Sequence, residues 1–280
     1  MAFCGEISLR RELVGGPVTR VAAAWPEHWM SGHGEVVLLI HGYNNVKRVA
    51  LRSYNKVFTR SFPRTGHVFW PGDIKGGQLI SAPSYPWQIL HAREAAARLA
   101  DYFHGVIGPN GAPVLITLIA HSLGCRLVFE LLRDLANNPS QNVRFRLICL
   151  MAAAVPTRLI ELDRVPPSKL EGVGRRVLVF HSVCDGVLLF AFRGGQFAAW
   201  KFGFENEYYP DAVGREGAPF LVGERCHLEG AAHGDYWPSK KIANEIALQL
   251  GIARPRPLVS RLESGRRSLL RRFTPSRYFR

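Results

Sequence analysis

The chain has 280 residues, 47% of them hydrophobic, and a formal net charge of +14, a composition typical of a globular protein with one sizeable core. No stretch approaches the roughly 20 uninterrupted apolar residues that would span a bilayer, and the first residues lack a basic-then-apolar leader, so a cytoplasmic location is expected. The five cysteines, Cys4, Cys125, Cys149, Cys184 and Cys226, are odd in number and include no C-x-x-C pair. That argues against a disulfide framework or a zinc knuckle and for reduced, buried thiols.

Residues before 33 are expected to form edge strands, with Pro17 and Pro26 at their limits. From residue 35 onward, apolar strand-like runs alternate with segments of helical period, as a parallel sheet covered by crossover helices requires. Residues 35–40 (EVVLLI) read as a buried strand ending in His41-Gly42, and residues 46–62 as a helix through Val49, Tyr54, Val57 and Phe58. Residues 67–70 (HVFW) give a second strand, closed by Pro71-Gly72. A polar, Pro-rich loop then leads to a helix over about residues 87–103. Residues 113–120 (PVLITLIA) form a continuous apolar strand that runs straight into His121-Ser122-Leu123-Gly124 and a helix over residues 125–135. Residues 144–153 and 176–180 supply two further buried strands, and residues 239–250 a closing amphipathic helix. The stretch between those two strands leaves no room for a large lid domain. The predicted architecture is one α/β domain over residues 1–251, three layers deep, with a mostly parallel sheet and helices on both faces.

The remaining residues, 252–280, carry nine arginines against the single acid Glu263. This tail contributes +8 of the charge, and its mixture of arginine with Leu258, Leu269, Phe273 and Tyr278 suits an anionic surface such as lipid headgroups or nucleic acid. Pro255, Pro257, Gly265 and Pro275 interrupt any long amphipathic helix, so a solvated or docked tail is the plainer alternative.

A serine hydroxyl is a poor nucleophile at neutral pH and needs both exposure and an adjacent base. The turn Ala120-His121-Ser122-Leu123-Gly124 approximates the G-x-S-x-G elbow, with alanine in place of the first glycine, and it stands where a strand passes into a helix. Ser122 is therefore the candidate nucleophile; a helix N-cap serine is the alternative. The amides of Leu123, at the helix start, and of Tyr43, after His41-Gly42, are the candidate oxyanion donors. The chain order serine, acid, histidine then selects residues downstream. Asp185 follows the strand ending at Phe180 and is preferred to Asp163 as the acid. His233, in the small-residue run before the last helix, is preferred to His227 as the base, and Asp235 is expected to serve its loop. Between Asp185 and His233 lie Phe190, Phe192, Phe197, Trp200, Phe202, Phe204, Tyr208 and Tyr209; some must be core, and others could wall an acyl pocket.

H-G-Y-N-N at residues 41–45, F-W-P at 69–71, A-H-S-L-G at 120–124 and H-G-D-Y-W at 233–237 occur together and in order. In these motifs the chain resembles the α/β-hydrolase superfamily, and within it a group of bacterial hydrolase-like proteins distantly similar to lipases and esterases. The resemblance covers about residues 35–250 and implies a Ser122, Asp185, His233 triad with an oxyanion hole at Tyr43 and Leu123. The expected activity is hydrolysis of small-molecule carboxylic esters through an acyl-enzyme, with lipid esters, amides and thioesters open to the same triad and no cofactor or metal required. A second class of function is a non-catalytic interaction protein that keeps the fold, its basic tail binding an anionic membrane or nucleic acid; no specific nucleic-acid signature is present.

Overall fold

A computed structural model describes residues 4–11, 20–25, 29–73, 81–162, 176–217 and 224–252. Eight strands make one sheet: β1 (Cys4–Arg11), β2 (Arg20–Trp25), β3 (Glu35–Ile40), β4 (Thr65–Phe69), β5 (Val114–His121), β6 (Val143–Met151), β7 (Val177–His181) and β8 (Glu224–His227). Their spatial order is β2-β1-β4-β3-β5-β6-β7-β8. Among the described strands only β2 runs antiparallel to its neighbour; every other pairing is parallel. Of the two N-terminal strands expected at the edge, β2 forms it, and β1 lies one strand in, because its other side pairs with β4.

The helices are α1 (Lys47–Lys56), α2 (Phe58–Ser61), α3 (Ser81–Gly105), α4 (Gly124–Asn137), α5 (Thr157–Leu162), α6 (Arg193–Lys201), α7 (Val213–Glu216) and α8 (Lys240–Gln249). A π-helical stretch, Val187–Phe192, runs directly into α6. The expected helix over residues 46–62 breaks at Val57, whose φ of −139° and ψ of −53° are not helical, so that α2 turns to pack on α8. In α3 the helix begins at Ser81, before the predicted start, and includes Pro86. A proline there forfeits one backbone hydrogen bond, and the long helix still forms.

Connection geometry explains where the layers fall. From β3 the chain crosses through α1 and α2 to β4 on one side, whereas from β5 it crosses through α4 to β6 on the other. Right-handed crossovers in opposite directions place their helices on opposite faces. The reversal lies between β3 and β5, and in open α/β sheets ligands bind outside the carboxyl ends of the strands at that point. The central strands are buried on both sides, which is why they read as unbroken apolar runs: all residues of β3 after Glu35 and nearly all of β5 are buried.

On one face, α3 packs against α4 and α6, and the contact contains a buried cluster of charge. Arg126 is fully buried on α4, one turn beyond Ser122; its Nε donates to Glu130 Oε1 at 2.6 Å, and its Nη1 lies 3.0 Å from Glu205 Oε1. That second contact is ionic rather than a well-aligned hydrogen bond, since neither atom has a hydrogen-bond partner. Arg93 of α3 bridges both glutamates at 3.3 Å, and Arg133 reaches Glu130 Oε2 at 2.8 Å. Burial alone would lower the Arg126 pKa, but the carboxylates of Glu130 and Glu205 outweigh it and hold the guanidinium charged. Breaking such a network from one side leaves a buried charge uncompensated. Glu205→Gln is expected to lower unfolding stability by about 3 kcal/mol or more in urea titrations; a loss below about 1 kcal/mol would show the cluster to be solvent-screened.

Among the described residues, no helix is long and apolar enough to cross a membrane, and no group of three or more His, Cys, Asp or Glu could hold a metal ion. Cys125, Cys149, Cys184 and Cys226 are free thiols; Cys125 and Cys149 are buried, whereas Cys184 is exposed. The Arg-rich tail, apart from Ile252, lies outside the described residues, as do Pro17, Pro26 and Asp163.

Candidate active site

Ser122 stands at the turn between β5 and α4 with φ +55°, in the left-handed region that a non-glycine residue rarely adopts. Three backbone bonds hold it there. Its N–H donates to Met151 O at 2.9 Å, and its carbonyl accepts from Cys125 N at 3.0 Å and Ala154 N at 3.1 Å. Such a conformation persists only where the surroundings over-determine it. The methyl of Ala120, where the elbow pattern has glycine, is accommodated in full burial between the ends of β3 and β6, paired with Ile40 and Leu150.

Two glycines let the loop after β3 close onto this turn. A Cβ on Gly124 would sit 2.3 Å from His41 O, and one on Gly42 would sit 2.7 Å from Ser122 Cβ, so no larger residue fits either position without backbone movement. This approach brings Tyr43 beside the serine. Leu123 caps the N-terminus of α4, where the first amides have no intrahelical acceptor and the helix dipole is positive. The Tyr43 side chain is directed away to Ser84 by a 2.8 Å hydroxyl hydrogen bond, and its ring meets Tyr85 edge-on.

At the end of β7 the chain turns through Ser182, and Asp185 emerges fully buried. Its Oδ1 accepts from Leu188 N at 3.0 Å, at the start of the π-helical stretch. Its Oδ2 accepts from His233 Nδ1 at 2.7 Å, and His233 Nε2 lies 2.9 Å from Ser122 Oγ. An ionised carboxylate only accepts, so the imidazole proton resides on Nδ1 and Nε2 is left to accept from the serine hydroxyl. The three residues named from the sequence thus form one hydrogen-bonded chain. His233 keeps 17% of its side chain exposed, which leaves the reacting end of the chain reachable.

His227 belongs instead to β8, where its ring meets that of His181 across the β7–β8 pair at 5.1 Å. Asp235 accepts from Ala232 N at 2.8 Å and so braces the His233 loop, as expected of it. One supporting residue escaped the sequence reading. His121 Nε2 donates to the His233 carbonyl at 2.9 Å, and burial, with His233 adding to it, lowers the His121 pKa to about 3. It is therefore neutral and holds the backbone of the histidine without adding charge beside it. Its place next to the serine in A-H-S-L-G was the available signal. His41 is likewise neutral: burial lowers its pKa to about 4, its Nδ1 donates to Gly42 O at 2.8 Å, and its Nε2 accepts from Trp70 N at 3.3 Å. It shapes the loop.

A strained serine on a strand-turn-helix beside the reversal of a mostly parallel sheet, with the acid after β7 and the histidine after β8, is a distinctive arrangement. The chain has the α/β-hydrolase fold. No protein-family model matches it, and no curated protein matches it in sequence. Solved structures of similar shape include TT1662 from Thermus thermophilus, at 17% identity over 80% of this chain and 91% of that one, with a TM-score of 0.44. A putative hydrolase from Agrobacterium vitis S4 is 10% identical over 79% and 91%, TM-score 0.44. Acyl-protein thioesterase 2 from Zea mays is 13% identical over 79% and 94%, TM-score 0.46. Within this α/β-hydrolase fold, the aromatics between Asp185 and His233 divide: Phe192 and Tyr209 are buried, Phe204 is half-buried, and Phe190, Phe197, Trp200, Phe202 and Tyr208 are exposed.

Proposed function

We propose that this protein is a serine hydrolase that cleaves carboxylic esters through an acyl-enzyme. The observation that carries this reading is the unbroken hydrogen-bond chain from Asp185 Oδ2 through His233 to Ser122 Oγ. Ser122 Oγ attacks the ester carbonyl as His233 Nε2 takes its proton; the tetrahedral intermediate collapses, and His233 returns the proton to the departing alkoxide. Water then attacks the acyl-enzyme with the same histidine as base, releasing the acid and restoring the serine. Asp185 keeps the imidazole in the Nδ1–H tautomer and offsets the imidazolium charge. The amides of Leu123 and Tyr43 are assigned to the developing oxyanion, supported by the close approach of Gly42 to Ser122. Thioesters and amides fall within reach of the same chemistry.

A fluorophosphonate probe phosphonylates only an activated serine. The purified protein is expected to gain one adduct, located by peptide mass on the segment containing Ser122. Folded protein that takes up no probe, or takes it up elsewhere, would refute the assignment.

A further inference from the structure

The segment from the π-helical stretch through α6 is apolar on both sides. Its inner side docks on α3: Phe192 meets Tyr85 edge-on, Gln196 Nε2 donates to Tyr85 Oη at 3.0 Å, and a Cβ on Gly195 would strike the same ring at 2.6 Å. Its outer side should then be polar, as on any surface helix. It is not. Phe190 is 74% exposed and Phe202 66%, and Phe197 and Trp200 are also exposed. Phe197, Trp200 and Tyr208 form a mutual ring cluster with centroids 5.8 to 6.4 Å apart, and Phe202 makes a separate pair with Trp87 of α3 at 6.3 Å. A cluster of this size on a protein surface marks a binding face.

Charge selects the occupant. Residues 186–204 contain no acid, and Lys201 stands 4.3 Å above the Trp200 ring with its ammonium exposed. Arg193 is paired with Asp211 at 3.2 Å and Glu207 flanks Tyr208, so the local cation is Lys201, set within a chain of net charge +14. A second copy of the chain would bring two such charges together, and self-repulsion opposes that pairing. An anionic lipid surface has the opposite sign. Tryptophan and tyrosine suit the headgroup level and phenylalanine the acyl boundary beneath it. We propose that this aromatic face docks on anionic lipid bilayers. The inference does not depend on the hydrolase reading, because binding is measured without turnover.

The test is sedimentation of the full chain with phosphatidylcholine vesicles prepared with or without phosphatidylglycerol. The parent is expected to bind the anionic vesicles. The Phe190→Ser/Phe197→Ser variant, with both altered side chains exposed and its melting temperature unchanged, is expected to bind at least about thirtyfold more weakly. Lys201→Glu should bind more weakly than the parent, and the difference between the two should widen as salt is lowered. Absence of parent binding would overturn the proposal, as would a double variant that binds within about threefold of the parent, since the contact would then lie elsewhere, for example in residues 252–280. A parent that elutes as a dimer, with a monomeric double variant, would assign the face to a second copy instead.

Discussion

Ser122→Ala is expected to lower kcat for a short p-nitrophenyl ester by on the order of 10⁶, with any residual rate surviving from binding and oxyanion contacts alone. The fold should not change with it, which is what makes the comparison clean. Ser122 Oγ takes part in the contact to His233, while the turn is held by backbone bonds to Met151, Cys125 and Ala154 that alanine keeps. Alanine also keeps the Cβ, so the cost of the left-handed φ is the same in both proteins. Single-turnover kinetics on matched preparations decides it. A loss smaller than about 100-fold would mean that the measured hydrolysis does not pass through this serine.

The nucleophile region was legible because several local signals agreed. An apolar run long enough for a strand ended in a small-residue turn and was followed by strong helix formers, so β5, Ser122 and α4 could be placed together. The order of acid and base followed from the fold class, and Asp185 was favoured because it came a short turn after an apolar strand. The strand β8 gave no such signal. Its four residues, Glu-Arg-Cys-His, are polar, and among the described residues it pairs only with β7 at the sheet's edge, so no two-sided burial selects an apolar run. That strand nevertheless delivers the chain to His233. Helix α6 was also illegible: two glycines sit inside it, and its outward aromatics erase the polar side by which a surface helix declares its period. The same exposed rings that hid the helix from a pattern reading are the ones that mark it as a binding face. The buried cluster around Arg126 was invisible for a different reason: its partners, Glu130, Glu205 and Arg93, come from distant points of the chain, and only tertiary packing brings them together.

Asp185→Asn separates orientation from nucleophilicity, and it is expected to reduce kcat/KM about 10⁴-fold while leaving the serine in place. The direction follows from the hydrogen bonds. Leu188 N–H donates to Oδ1 of Asp185, so an asparagine would settle with its carbonyl oxygen there and its amide NH₂ toward His233. Facing a donor, His233 Nδ1 must accept, and the imidazole proton moves to Nε2. Nε2–H then points at Ser122 Oγ and can no longer take its proton. The side chain is isosteric and fully buried, so the loss should come without rearrangement of the elbow, and its signature is a fall in kcat rather than in substrate binding. Fluorophosphonate labelling should slow in parallel, since it requires the same activated hydroxyl. If Asp185→Asn retained activity within about tenfold of the parent, the carboxylate would be a structural anchor for the π-helical stretch and the tautomer of His233 would be fixed by another group.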